Sequence, residues 1–159
     1  MKILDKISYG IDVICSYLIY YLLLIITSVV FIQVVARFVF NTGTFWTDEL
    51  ARFSMVWLVF IGAAVATREK SLINVDVVES LLPKFAKPLR IFQSIVFLIF
   101  CALLVKMGWE TMWLVAAQRS PNMGVPMSVI YAAIPVTMAI MIFHLIVQLF
   151  YKKDQGGSM

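Results

Sequence analysis

Charged residues interrupt the apolar pattern of this chain only at long intervals. Val13 to Ala36 carries no charge and is rich in Leu, Ile, Val and Tyr. The run is too long for the apolar part of a signal peptide, so it predicts a retained first helix over about 13–37. A second charge-free run covers Phe53 to Thr67. Extended back through Ala51 and Leu50 to Thr47, it reaches 21 residues, or about 31 Å of helix. This predicts a second helix over 47–67. A third run starts at Ile91, is apolar to Val105 and stays helix-compatible to Gln118, predicting a helix over about 89–118. The fourth is charge-free from Ser120 to Tyr151, with Pro121, Gly124 and Pro126 punctuating its start. Its helix is expected over about 126–150, with Pro126 in the first turn and a mild kink at the internal Pro135. A membrane crossing needs about 20 apolar residues. The pattern therefore predicts one all-α domain over 1–151 with four transmembrane helices, followed by a flexible tail over 152–159.

Between the second and third runs the period changes. Val75, Val77, Val78, Leu81 and Leu82 share one side of a helical wheel, and Asp76, Glu79 and Ser80 share the other. This predicts a short amphipathic helix over about 72–83, lying in the membrane interface.

Composition narrows the class further. The 159 residues are 62% hydrophobic and 14% charged, against roughly 45–50% and about 25% in soluble domains. A soluble fold of this size could not cover so much apolar surface. That excludes a soluble enzyme, a nucleic-acid-binding domain and a disordered chain. The net charge of +4 is then a matter of topology. Nine of the 13 basic residues fall on one side: Lys2, Lys6, Arg68, Lys70, Lys84, Lys87, Arg90, Lys152 and Lys153. Arg37, Arg52, Lys106 and Arg119 fall on the other. Both termini and the middle loop are expected in the cytoplasm, which an even number of spans satisfies.

Chemistry of the chain's own is hard to find. Ionisable residues inside a membrane are the usual functional candidates, and the span centres hold almost none. A proton-coupled exporter needs a mid-membrane carboxylate, and none lies between Asp12 and Asp48. Cys15 and Cys101 are singletons in apolar runs and read as packing residues. His144 stands alone and reads as a hydrogen-bonded packing histidine, since a two-histidine haem site needs a second one. No catalytic, substrate-binding or metal-binding set is evident, and no cofactor is expected.

The informative polar residues gather at the expected outer ends. Arg37 closes the first span, and Trp46-Thr47-Asp48-Glu49-Leu50-Ala51-Arg52 opens the second. Thr47 suits an N-cap, and Asp48 and Glu49 then favour the positive end of the helix dipole. Arg52 is spaced to pair with both acids, and Trp46 suits the headgroup level. Two roles stay open for Arg37: joining the acidic pair, or reaching a partner protein. The third helix, at 28 residues from Ile91 to Gln118, would be about 42 Å long, so it must tilt or project. On it Lys106 and Glu110 stand at i, i+4 and can form an outer ion pair. Gly62 and Ala66 make a small-xxx-small step that predicts close packing against another helix of this chain or one of a larger protein.

In combination these segments resemble a known family. Gln33-x-x-x-Arg37-Phe38-x-Phe40-Asn41, Trp46 to Arg52, Trp57-Leu58-Val59-Phe60-Ile61-Gly62-Ala63-Ala64 with Arg68-Glu69, and Gly124-x-Pro126 with Tyr131-x-x-x-Pro135 follow one another in order. The chain is similar in this to the small, DctQ-like membrane subunit of tripartite ATP-independent periplasmic (TRAP) transporters, from about Asp5 to Tyr151. It departs from the family where a histidine often follows the second helix, having Ser71-Leu72-Ile73 instead.

The resemblance implies a role and partners. A large membrane subunit would carry the substrate and sodium sites and move as an elevator. This chain would pack on its scaffold and anchor it in a bacterial inner membrane. A periplasmic binding protein would deliver the substrate, an organic acid of the sialic acid or C4-dicarboxylate class. The outer loops at 41–46 and 119–124 would be placed to touch that protein. Lys84, Lys87 and Arg90 beside the interfacial helix would meet phospholipid headgroups. The alternative is a free-standing small transporter or exporter acting as a homo-oligomer.

Overall fold

The computed structural model describes the backbone of residues 2–43, 45–68 and 86–155, and side chains over 6–43, 45–68 and 91–148. Among these residues the chain is all-helical apart from turns and one isolated bridge. The helices are α1 (Lys2–Phe38), α2 (Phe45–Arg68), α3 (Ala86–Leu114), a single-turn α4 (Met127–Tyr131) and α5 (Ala133–Gln155). Four segments are long and apolar enough to cross a membrane: Lys6–Phe38, Phe45–Arg68, Ile91–Leu114 and Met127–Gln148. The interfacial helix expected over 72–83 and Lys84 lie outside the described residues. Lys87 falls in the first turn of α3 and Arg90 just after it.

Several helix ends differ from those expected, each for a local reason. The first helix begins at Lys2 and not near Val13. Asp12, the charge that bounded the apolar run, does not end it, because Arg68 Nη1 neutralises it at 2.9 Å. Over its 37 residues α1 reaches about 55 Å, well beyond an apolar core of about 30 Å. The second helix begins at Phe45, so Thr47 is a fully buried residue of its first turn and not its N-cap. The third helix stops at Leu114 and not at Gln118. There the Gln118 carbonyl accepts from Met127 N at 2.9 Å and Ser120 N donates to Val125 O at 2.9 Å. This antiparallel closure, bridging Arg119 and Pro126, competes with continuing the helix. In the last span the helical ladder is interrupted at Ala132, which keeps a helical conformation (φ −61°, ψ −22°), and the missing rung is the one Pro135 cannot donate. Proline lacks the N–H that would bond to the carbonyl four residues back, at Tyr131, and its ring crowds that carbonyl. The ladder resumes with Val136 N donating to Ala132 O at 3.2 Å.

Helix α5 is the hub. It touches every other helix, while α1 packs chiefly on α2, and α3 chiefly on α5. Of the most apolar window, 44% is buried in the last span but only 6% in α1. The core joins Ala64 of α2, Cys101 of α3, and Met138 and Met141 of α5, with Phe60, Phe97 and Leu104 around them. Cys15 and Cys101 are both free and buried, as packing residues. Lipid tails are as apolar as leucine, so association of such helices depends on close fit.

That fit centres on a glycine the sequence reading passed over. A Cβ on Gly108 would stand 3.0 Å from both Ile134 Cγ2 and Pro135 Cδ, so α3 approaches the start of α5 because residue 108 has no side chain. At Gly62 a Cβ would meet nothing within 4 Å. Within this chain the close contact expected at Gly62 is therefore made instead at Gly108, while α2 brings the fully buried Ala64 to the core.

Polar contacts tie the end where the chain starts and α5 runs out, here the terminal end. Ser8 Oγ and His144 Nδ1 are 2.8 Å apart. Gln148 Nε2 donates to the last carbonyls of α2, Thr67 O at 2.9 Å and Arg68 O at 3.0 Å. These orphan acceptors at a helix C-terminus would otherwise lack partners. Arg68 also lies over the Tyr9 ring, 5.2 Å from its centroid.

Candidate functional site

The opposite end, carrying the α1–α2 turn and the 115–126 loop, collects the polar residues singled out by the sequence. The turn is made by Asn41 at φ 50°, a left-handed conformation that Asn tolerates better than most residues. It lets Thr42 N donate back to the Ala36 carbonyl at 3.1 Å, closing α1. The chain then enters α2 so that Asp48 faces α1, where Gln33 Nε2 donates to Asp48 Oδ1 at 2.7 Å.

Around this pair lies an open concavity of ≈ 590 Å³, lined by Gln33, Arg37, Phe38, Asn41, Thr42, Gly43, Phe45 and Asp48. Polar side chains line it beside exposed aromatic rings, with Phe38 77% and Phe45 71% exposed.

One position further on, Glu49 turns the other way. It is buried, and its two oxygens accept four hydrogen bonds from the 120–123 loop. Ser120 Oγ donates to Oε2 at 2.8 Å and Met123 N to Oε2 at 2.9 Å. Asn122 donates to Oε1 through its backbone N at 3.1 Å and its Nδ2 at 2.9 Å. Hydrogen bonds to an ionised acceptor are stronger than neutral ones. The loop presents these donors because Gly124, at φ 66°, turns the chain tightly enough for Gly124 N to reach Ser120 O at 3.1 Å. Glu49 is thus the post to which the loop is fastened.

These contacts redistribute the expected cluster. Arg37 and Asp48 share one concavity. Glu49 is the fifth residue of α2, past its first turn, so the dipole place expected for both acids falls to Asp48 alone and Glu49 serves the loop instead. Among the described residues no ion pair links Arg52 to Asp48 or Glu49, because Gln33 and the loop occupy the carboxylates and Arg52 is left exposed. Trp46 is half-exposed beside them. No ion pair joins Lys106 and Glu110 either; both are exposed on α3. Lysine preceding glutamate at i, i+4 is the weaker order, and exposed pairs contribute little.

Gln33, Ser120 and Asn122 were not foreseen as partners. Gln33 stood in the quoted motif, and a carboxylate at the end of an apolar helix demands donors. A loop of Ser, Asn and Gly is their natural source.

Nothing in this geometry is built for bond-making. Glu49 has its lone pairs committed, and among the described residues no three His, Cys, Asp or Glu side chains are grouped as metal ligands would be. The arrangement holds a loop rigidly and shapes a surface with an exposed arginine.

Comparison with known proteins supplies the setting. Residues 26–153 match the family model of the DctQ component of tripartite ATP-independent periplasmic transporters. A protein of Haemophilus influenzae described as a TRAP transporter small permease is 31% identical, over 82% of this chain and 84% of its own length. The isethionate TRAP transporter permease protein DctMQ of Oleidesulfovibrio alaskensis is 30% identical over 64% of this chain, which is 16% of that longer protein. The sialic acid TRAP transporter permease protein SiaT of H. influenzae is 26% identical over 79% of this chain and 20% of its own length.

Proposed function

The chain belongs to the DctQ-component family of TRAP transporters, a multi-pass membrane component and not an enzyme, and from that premise we propose how it serves such a transporter. It is the small subunit of a sodium-coupled importer of an organic acid anion. It packs on the static scaffold of a large elevator-type subunit and holds it at fixed depth. The sialic acid and isethionate systems among its relatives support an acidic substrate, which the larger subunit and a periplasmic binding protein would select. The loop end faces the periplasm of a bacterial inner membrane and both termini face the cytoplasm, in keeping with the sorting of lysine and arginine.

The observation that carries this reading is the state of α1. Its most apolar window is only 6% buried, with Tyr17, Tyr20, Tyr21, Leu24 and Phe31 all more than half exposed. A helix so weakly covered by its own chain offers its length to lipid and to a larger protein. That the chain aligns with a small fraction of two longer permeases supports a physical association of small and large parts.

The test is purification in mild detergent with and without a large TRAP membrane subunit, followed by reconstitution. Stable association, with transport only when both are present, is the expected result. Transport by this chain alone would establish the homo-oligomeric alternative.

A further inference from the structure

The terminal end of the bundle contains two buried polar atoms with no hydrogen-bond partner among the described residues, Asp12 Oδ1 and His144 Nε2. His144 is 1% exposed and Asp12 9%. Ser8 and Asp12 stand one turn apart on the same face of α1, and Ser8 holds the other ring nitrogen of His144 at 2.8 Å. The face of α1 that carries Asp12 is therefore the face that meets the imidazole. The second carboxylate oxygen, Oδ2, is occupied by Arg68.

A buried polar atom left without a hydrogen bond keeps its full desolvation cost. We propose that one internal water sits between α1 and α5 and bridges His144 Nε2 to Asp12 Oδ1. Water fits both atoms whichever tautomer the ring adopts. With a proton on Nε2 it accepts from the ring and donates to the carboxylate; with the proton on Nδ1 it donates to both. A cation fits poorly, because Arg68 already neutralises Asp12, the one carboxylate there among the described residues. The bridge completes a chain from Ser8 through His144, water and Asp12 to Arg68, joining three helices. Such networks are strong when every member is satisfied. This one fastens the end of a helix that is otherwise barely covered, whatever protein α1 meets along its length.

His144 is the sole histidine of the chain, so its ring signals are unambiguous. The full chain, labelled with ¹⁵N,¹³C-histidine, carrying a histidine-free tag and embedded in lipid nanodiscs, is studied by water-edited solid-state NMR. Rapid transfer of water magnetisation to the His144 ring is expected in the wild type and in Ser8→Ala, which leaves Nε2 and Asp12 in place. Loss of that transfer is expected in Asp12→Ala. A high-resolution map should show one peak at hydrogen-bond distance from both atoms. A ring that receives no water magnetisation in the wild type would overturn the proposal. So would transfer undiminished in folded Asp12→Ala, or a peak that proves to be an ion. Should Asp12→Ala not fold, the wild-type spectrum and map decide alone.

Discussion

Replacing Gly108 by alanine perturbs the packing of α3 against the start of α5. The new Cβ would stand 3.0 Å from Ile134 Cγ2, 3.0 Å from Pro135 Cδ and 3.3 Å from Ile134 Cβ. Carbon atoms at ease lie about 3.5–4.0 Å apart. Ile134 Cγ2 can rotate away, but Ile134 Cβ and Pro135 Cδ are bonded to the backbone and move only with it. The start of α5 must therefore step back from α3 by roughly half an ångström, a gap that forfeits a quarter or more of each neighbouring contact. Overpacking of this kind costs about 1–3 kcal/mol, and alanine over glycine in a helix returns about 1 kcal/mol. The net is a loss near 1 kcal/mol for Gly108→Ala, and more for Gly108→Leu. Gly62→Ala is the matched control, since its Cβ meets nothing within 4 Å; it should be neutral or gain up to about 1 kcal/mol. Unfolding by SDS titration, with fluorescence-detected melting in mild detergent as a second readout, compares the two. Gly108→Ala proving as stable as Gly62→Ala would refute the assignment of the close contact to Gly108.

Four further outcomes are expected. Asn122→Ala removes one donor from Glu49 and should loosen the 120–123 loop, read as faster proteolysis or cysteine labelling there while α-helical content is unchanged. Gln148→Ala uncovers the Thr67 and Arg68 carbonyls and should lower stability by about 1 kcal/mol in the same SDS titration. Arg37→Ala and Arg52→Ala should weaken assembly or transport and leave substrate preference alone, measured by co-purification and competition uptake; a changed preference would contradict the subunit role. A cysteine in the Asn41–Gly43 turn should react with an impermeant reagent from the periplasm and one at Lys84 should not; the reverse pattern would invert the topology.

The number and approximate position of the spans were legible because lysine, arginine and acids mark where an apolar run meets water. The ends were less legible because long-range partners decide them. Asp12 looks like a boundary until Arg68, 56 residues away, neutralises it. Gln118 looks helical until Met127 takes its carbonyl. Spacing alone puts Glu49 in a first turn that in fact ends at Asp48, and its donors lie 71 to 74 residues on. Gly62 in an apolar run and Gly108 between Lys106 and Glu110 are both helical glycines; which of them faces another helix depends on how the helices are rotated. His144 shows the opposite case. Its solitude in an apolar run argued for a hydrogen-bonded packing role, and Ser8 supplies the bond.

The role as a scaffold-bound small subunit is tested most directly by uptake into proteoliposomes under an imposed sodium gradient. The chain, its large membrane partner and the binding protein are reconstituted together, and each is then omitted in turn. Uptake of an organic acid that needs all three and collapses without this chain is the predicted result. Uptake sustained by the chain alone, or undiminished in its absence, would contradict the account.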